Sequence, residues 1–154
     1  MPGVIIEGAV KIGPRCSVMF GAVLRAEEDE IVVGEETNIQ DRVIVHCDLG
    51  FPALIGERVT IGHGAIVHGA TVGDRCLVGI GGIVLSGAVM GKGSWLAAGS
   101  LLPEGKSLDP YTLGMGVPAR SVRELTSDEI ARQVRGVEEY LKSGPLYRSR
   151  YSEG

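Results

Sequence analysis

The sequence predicts an all-β solenoid: a parallel β-helix of hexapeptide repeats, closed by one C-terminal α-helix. Three observations predict it. An aliphatic residue recurs every six positions over most of the chain. Glycine is abundant, at 24 of 154 residues, without the Gly-X-Y triplet of collagen. Aromatic residues make up only 5%, so the core must be aliphatic.

The repeat is counted from one aliphatic residue at position 1 of each unit. Ile6, Ile12, Val18 and Leu24 begin the series. Val33, Ile39 and Val45 follow a first insertion, and Ile55, Ile61 and Val67 follow a second. After a five-residue step come Val72, Val78, Val84, Met90, Leu96 and Leu102. Position 5 holds small or modest residues, among them Ala22, Ala65, Cys76, Ala88 and Ser94. Position 2 is often glycine, as at Gly13, Gly34, Gly62 and Gly79, which suits repeated tight corners. A short strand followed by a sharp corner makes one side of a triangular prism, with positions 1 and 5 pointing inward. Three units complete a coil, and coils stack at the ordinary strand spacing. A β-sandwich would place turns every 8–12 residues instead of every six.

The repeat is expected to stop near Leu102. Pro103 to Arg120 is rich in Gly and Pro and reads as a loop. A helix is expected from Thr126, where Thr126 and Glu129 form a capping box and Ile130, Val134, Val137 and Leu141 line one face. The tail from Pro145 to Gly154 reads as loosely held. The expected division is a β-helix domain over 1–120 and a helix and tail over 121–154.

Composition excludes several classes of function. Net charge is −4 with signs mixed, and no basic block suggests nucleic acid. No apolar run of about 18 residues suggests a membrane span, and no leader precedes the repeat. Three cysteines without disulfide spacing predict a reducing cytoplasm.

The register converts sequence positions into geometry. Every third unit shares a face, so Arg25, His46, His68 and Leu85 form one outward ladder at position 2. His46 and His68 stand one rung apart, within reach of a single ion. His63 is position 3 of the unit starting at Ile61, on the preceding face, with Gln40 and Asp41 one rung away. In a threefold homotrimer that face can meet a neighbour's His46–His68 face, which places a metal at each interface. Three imidazoles leave one tetrahedral position open, as in catalytic zinc sites. Zn2+ is the default, and Fe2+ or Co2+ also binds imidazole.

The motifs Leu24-Arg25-Ala26-Glu27, Thr37-Asn38-Ile39-Gln40-Asp41, His46, Ile61-Gly62-His63 and Val67-His68-Gly69 resemble those of the γ-class carbonic anhydrases. The similarity runs from about Ile6 to Leu141. The resemblance implies a left-handed parallel β-helix; spacing alone does not set the hand. It implies a homotrimer with interface metals on His46, His63 and His68, and no further cofactor. It matches Arg25 and Asp41 to an interface ion pair and Gln40 to the residue that orients the attacking oxygen. Tyr140 matches a tyrosine approaching from the C-terminal helix, and Glu28 a glutamate that exports protons. Glu27 stands where the family usually has Asp. The implied reaction is reversible hydration of CO2 to bicarbonate by a hydroxide that the metal activates. Glu28, Asp29 and Glu30 also read as a solvated insertion, and the segment after His46 is short and mostly apolar, so slow turnover is expected. Cys47 reads as an inward, packed thiol. The rival functions are a hexapeptide acyltransferase, an acyl-coenzyme A thioester hydrolase and a non-catalytic metal-binding trimeric scaffold.

Overall fold

In the computed structural model, which describes residues 1–151, the chain winds into a left-handed parallel β-helix of about six turns. A single helix spans Ser127–Tyr151. The strands stack in the register given by the six-residue count. On the first face Ile6, Leu24, Val45, Val67, Val84 and Leu102 lie one above another. On the second, Ile12, Val33, Ile55, Val72, Met90 and Leu108 do the same. On the third the column is Val18, Ile39, Ile61, Val78, Leu96 and Gly114. Away from the N-terminal coil the aliphatic members are buried, and with position 5 they form one continuous core. Each buried Leu or Ile contributes about 1.5–3 kcal/mol.

Within the coils, glycine meets two needs. At the corners a left-handed residue is needed, and Gly64 takes it with φ +65°. The position-2 glycines serve close approach between coils. A Cβ on Gly62 would sit 2.8 Å from the backbone nitrogen of Ile80 in the next coil.

The structure departs from expectation in four places. The stretch after Leu102 is not a plain loop. Ser107–Leu108 adds a further rung, and Thr112–Gly116 pairs with the third face before turning into an antiparallel hairpin with Ala119–Glu124. Leu108 supplies the inward residue there, and its side chain fills the space a side chain on Gly114 would take. The acidic run at Glu28 is not a free loop. It lies inside the strand Val23–Val33, which carries on around the corner and joins two faces into one sheet. The segment from Pro145 is helical through Tyr151, held by edge-on contacts of Tyr147 and Tyr151 with Phe20; residues 152–154 of the expected tail lie outside the described residues. Finally, Cys16, a position-5 residue of the unit starting at Ile12 and so read as core, packs against the core but stays only half-buried at the N-terminal end of the prism.

The helix starts as expected. Thr126 Oγ1 accepts from the Glu129 N–H, and Glu129 accepts from the Thr126 N–H at 2.9 Å. The helix packs on the third face over a small core of Trp95, Leu113 and Leu125. Val137 is buried, but Gln133 replaces Val134 on the buried stripe, and it donates to the Cys76 carbonyl at 3.0 Å. Among the described residues no helix is long and apolar enough to cross a membrane.

Two ends of the ladder differ. The strand Ile5–Ile12 pairs on one edge only, with Val23–Val33, whereas at the other end the antiparallel hairpin finishes the third face and Leu101–Leu102 and Ser107–Leu108 finish the first and second. On the outside of the first face a second column runs beside the histidine ladder: Ile5, Val23, Ile44, Ile66, Ile83 and Leu101. All six are aliphatic, and none is fully buried.

Candidate metal centre

His46 and His68 are the last residues of two short strands, Ile44–His46 and Ile66–His68, that pair directly. The inward Val45 and Val67 lock both strands into the core, so the alternation of the strand turns both imidazoles outward. The rings meet with His46 Nδ1 3.1 Å from His68 Nε2. Two nitrogens at ordinary bond lengths from one tetrahedral ion lie roughly 3.3 Å apart. The pair therefore fits a shared ion with almost no movement. On its far side His68 Nδ1 meets Ser86 Oγ at 3.0 Å. Burial, then the Arg25 charge and then His68 push the His46 pKa down, which favours the neutral, ligating form.

His63 stands apart, on the third face. Its Nδ1 meets Asp41 Oδ2 at 2.8 Å. A carboxylate on one ring nitrogen directs the other nitrogen outward as a lone-pair donor, the arrangement common around metal-bound histidines. Gln40 is buried beside it. Gln40 Oε1 accepts the His63 backbone N–H at 3.2 Å, and Nε2 donates to Asn38 Oδ1 at 3.1 Å. Tyr140 reaches the same region from the helix, lining a small hollow with Gln40, Thr60 and Trp95. Burial and then the Asp41 charge raise its pKa.

The other residues singled out from the sequence lie on the rim. Arg25 is ion-paired with Glu27 in its own strand, and Asp41 with His63, so Arg25 and Asp41 are not joined within one chain. Glu28 accepts from the Leu49 N–H at 3.3 Å, and Asp29 from the Gly50 N–H at 3.1 Å, tying the acidic run to the segment after His46. Glu28 also lines a cavity of about 580 Å³ with Asp48, Phe51, Ser86 and Glu104. Cys47 is fully buried and points inward as expected.

Sequence reasoning missed Asp48. Its carboxylate oxygens lie 3.7 Å from His46 Nδ1 and 3.7 Å from His68 Nδ1. Among the described residues, His46, Asp48 and His68 form a group whose candidate ligand atoms all fall within 4.8 Å of one another. The signal was present, since a residue two beyond an outward histidine faces the same side.

No protein-family profile matches the chain. Individual relatives do. The chain is 42% identical to the "Probable carbonic anhydrase" of Methanocaldococcus jannaschii, over 91% of this chain and 88% of that protein. It is 36% identical to gamma carbonic anhydrase 2, mitochondrial, of Arabidopsis thaliana, over 99% of this chain but 57% of the plant protein. Among solved structures, a hexapeptide transferase family protein from Anaplasma phagocytophilum superposes with a TM-score of 0.88 at 41% identity, over 95% of this chain and 92% of that one.

Proposed function

The chain belongs to the γ-class carbonic anhydrase family, and from that premise we propose that it hydrates carbon dioxide reversibly to bicarbonate at metal centres shared between subunits of a homotrimer. The observation that carries this reading is the facing pair of imidazole nitrogens, 3.1 Å apart on adjacent rungs. His46 and His68 of one subunit would hold the ion together with the partner subunit's His63. The aliphatic column beside the histidine ladder supports assembly, because such a stripe is poorly placed in water. Zn2+ is the ion first expected for three imidazoles, with Fe2+ and Co2+ as the alternatives. When bound, the metal supplies the Lewis acidity that makes water a nucleophile at neutral pH.

The chain's own residues do the rest. Asp41 holds the Nδ1 proton of His63 and keeps its other nitrogen free to ligate. Ser86 steadies His68 in the same way. Gln40 has one N–H engaged by Asn38 and the other free to orient the attacking oxygen. Tyr140 walls the hollow beside Gln40. Arg25 is anchored by Glu27 and keeps further N–H donors for the partner's Asp41. Glu28, on the rim of the cavity, carries the released proton to solvent. In this scheme residues 1–120 form the metal-bearing prism and the described part of 121–154, through Tyr151, its cover. Three free cysteines suit a reducing compartment, and we assign the protein to the cytoplasm.

The solved relative named as a transferase raises acyl transfer as a second reading. Glu28, Asp48 and Glu104 line the cavity next to the histidines, and their charge opposes a phosphate-bearing acyl carrier there. The deciding experiment pairs metal analysis with a carbon dioxide hydration assay. One metal per chain and hydration that vanishes in His46→Ala are expected. Full metal content with no hydration would leave only a scaffold. Glu28→Ala is expected to slow turnover several-fold in weak buffer and little in strong buffer; equal rates in weak buffer would remove Glu28 from proton export.

A further inference from the structure

We propose that Asp48 is a metal ligand, so that each single chain carries a complete three-donor site of His46, His68 and Asp48. The inference rests on the reading of His46 and His68 as metal ligands and goes beyond the three-histidine set. Its basis is geometric. The alternation of the backbone puts the side chains of residues 46 and 48 on the same side, and the segment turns back immediately afterwards, with the Phe51 N–H donating to the Asp48 carbonyl at 2.8 Å. That turn holds the carboxylate over the histidine pair. Its oxygens lie 3.7 Å from His46 Nδ1, which faces His68, and 3.7 Å from His68 Nδ1, the nitrogen that Ser86 meets, both too far for a direct hydrogen bond. The candidate ligand atoms of all three residues lie within 4.8 Å of one another. An ion about 2.0–2.2 Å from each donor would hold them roughly 3.3–3.5 Å apart, so a side-chain shift of at most about 1.5 Å closes the set.

The chemistry of the set fits. Two imidazoles and one carboxylate is a common divalent-metal donor set, harder and more anionic than three imidazoles. Among the described residues the charged partners of the Asp48 carboxylate are the two histidines, and Arg25 pairs with Glu27 instead. The carboxylate is also half-exposed, at 45%, so it can swing without disturbing the core. Two donor triads then share the His46–His68 edge. One takes its third donor from the same chain, the other from the partner subunit's His63. A chain on its own can thus load metal through Asp48 before assembly brings the third imidazole.

The test measures Co2+ binding to the full chain by calorimetry and visible absorption, in His63→Ala and in His63→Ala/Asp48→Asn. Asp48 lies at an exposed corner and only its side chain is altered, so the fold is retained; circular dichroism checks this. His63→Ala is expected to bind one Co2+ per chain whatever its oligomeric state. The double variant is expected to bind at least about tenfold more weakly, with a changed absorption band. Equal affinity of the two variants, or no binding by His63→Ala when the unmodified chain binds, overturns the role of Asp48. His46→Ala/His68→Ala is the separate control: undiminished binding there overturns the metal centre itself.

Discussion

At the scale of single residues, the site depends on side chains that the repeat turns outward and on glycines that let coils touch. The histidine ladder was legible because position 2 of every third unit must stack, and His46 does pair with His68. Asp48 was legible only in part: alternation sets it on the same side as His46, but it follows the regular part of its unit, where the count gives way to a turn. Ser86 escaped for a different reason: its partner is the far nitrogen of His68, and an ordinary serine in a repeat carries no mark of that contact. The close approach at Gly62 yields a prediction. An added methyl meets the Ile80 nitrogen at 2.8 Å and the Val78 carbonyl oxygen at 2.9 Å, both backbone atoms that cannot yield cheaply. Gly62→Ala should therefore cost about 1–3 kcal/mol and also push aside the neighbouring His63. Thermal melting checks the first effect and metal content the second; a variant that melts like the parent would contradict the packing described.

At the scale of elements, every rung pairing through Leu102 could be read from the six-residue count, whereas the ends could not. Thr112–Gly116 has too many glycines to show a strand pattern, and only its neighbours on the third face define it. The helix outlasts Ser143-Gly144-Pro145 because Phe20 gives the last turns something to pack on. The helix start makes a pH-dependent contribution. The Arg123 guanidinium first, and the Thr126 backbone N–H next, pull the Glu129 carboxyl down to about 2. Its unfolded value is about 4.3. A depressed folded value means stability that is fully present above the unfolded pKa and is lost as pH falls towards 2. The parent should therefore lose more melting temperature between pH 5 and pH 2.5 than Glu129→Gln does, while Glu129→Gln melts lower at pH 7. Parallel acid profiles for the two proteins would mean the cap contributes nothing.

For the whole molecule, the prism has three unlike sides. The third carries the helix, Gln40 and His63. The first carries the paired histidines and an uncovered aliphatic column. Such sides suit head-to-tail contact around a threefold axis, where one side of each copy meets a different side of the next. A charge in the column should prevent it. Ile66→Glu points away from the core and should leave the coil folded, but sedimentation should then give single chains, with carbon dioxide hydration lost alongside. A variant that still sediments as a trimer would place the contact elsewhere.

The unequal ends give the staircase a direction. Below, the strand Ile5–Ile12 has an open edge where a further parallel step could be laid. Above, Ala119–Glu124 runs backwards against Thr112–Gly116 and turns the climb into a landing. On that third face extra steps can be built in only from beneath or by duplicating a middle coil, and the open lower edge at Ile5–Ile12 is where two molecules in concentrated solution would stick foot to foot.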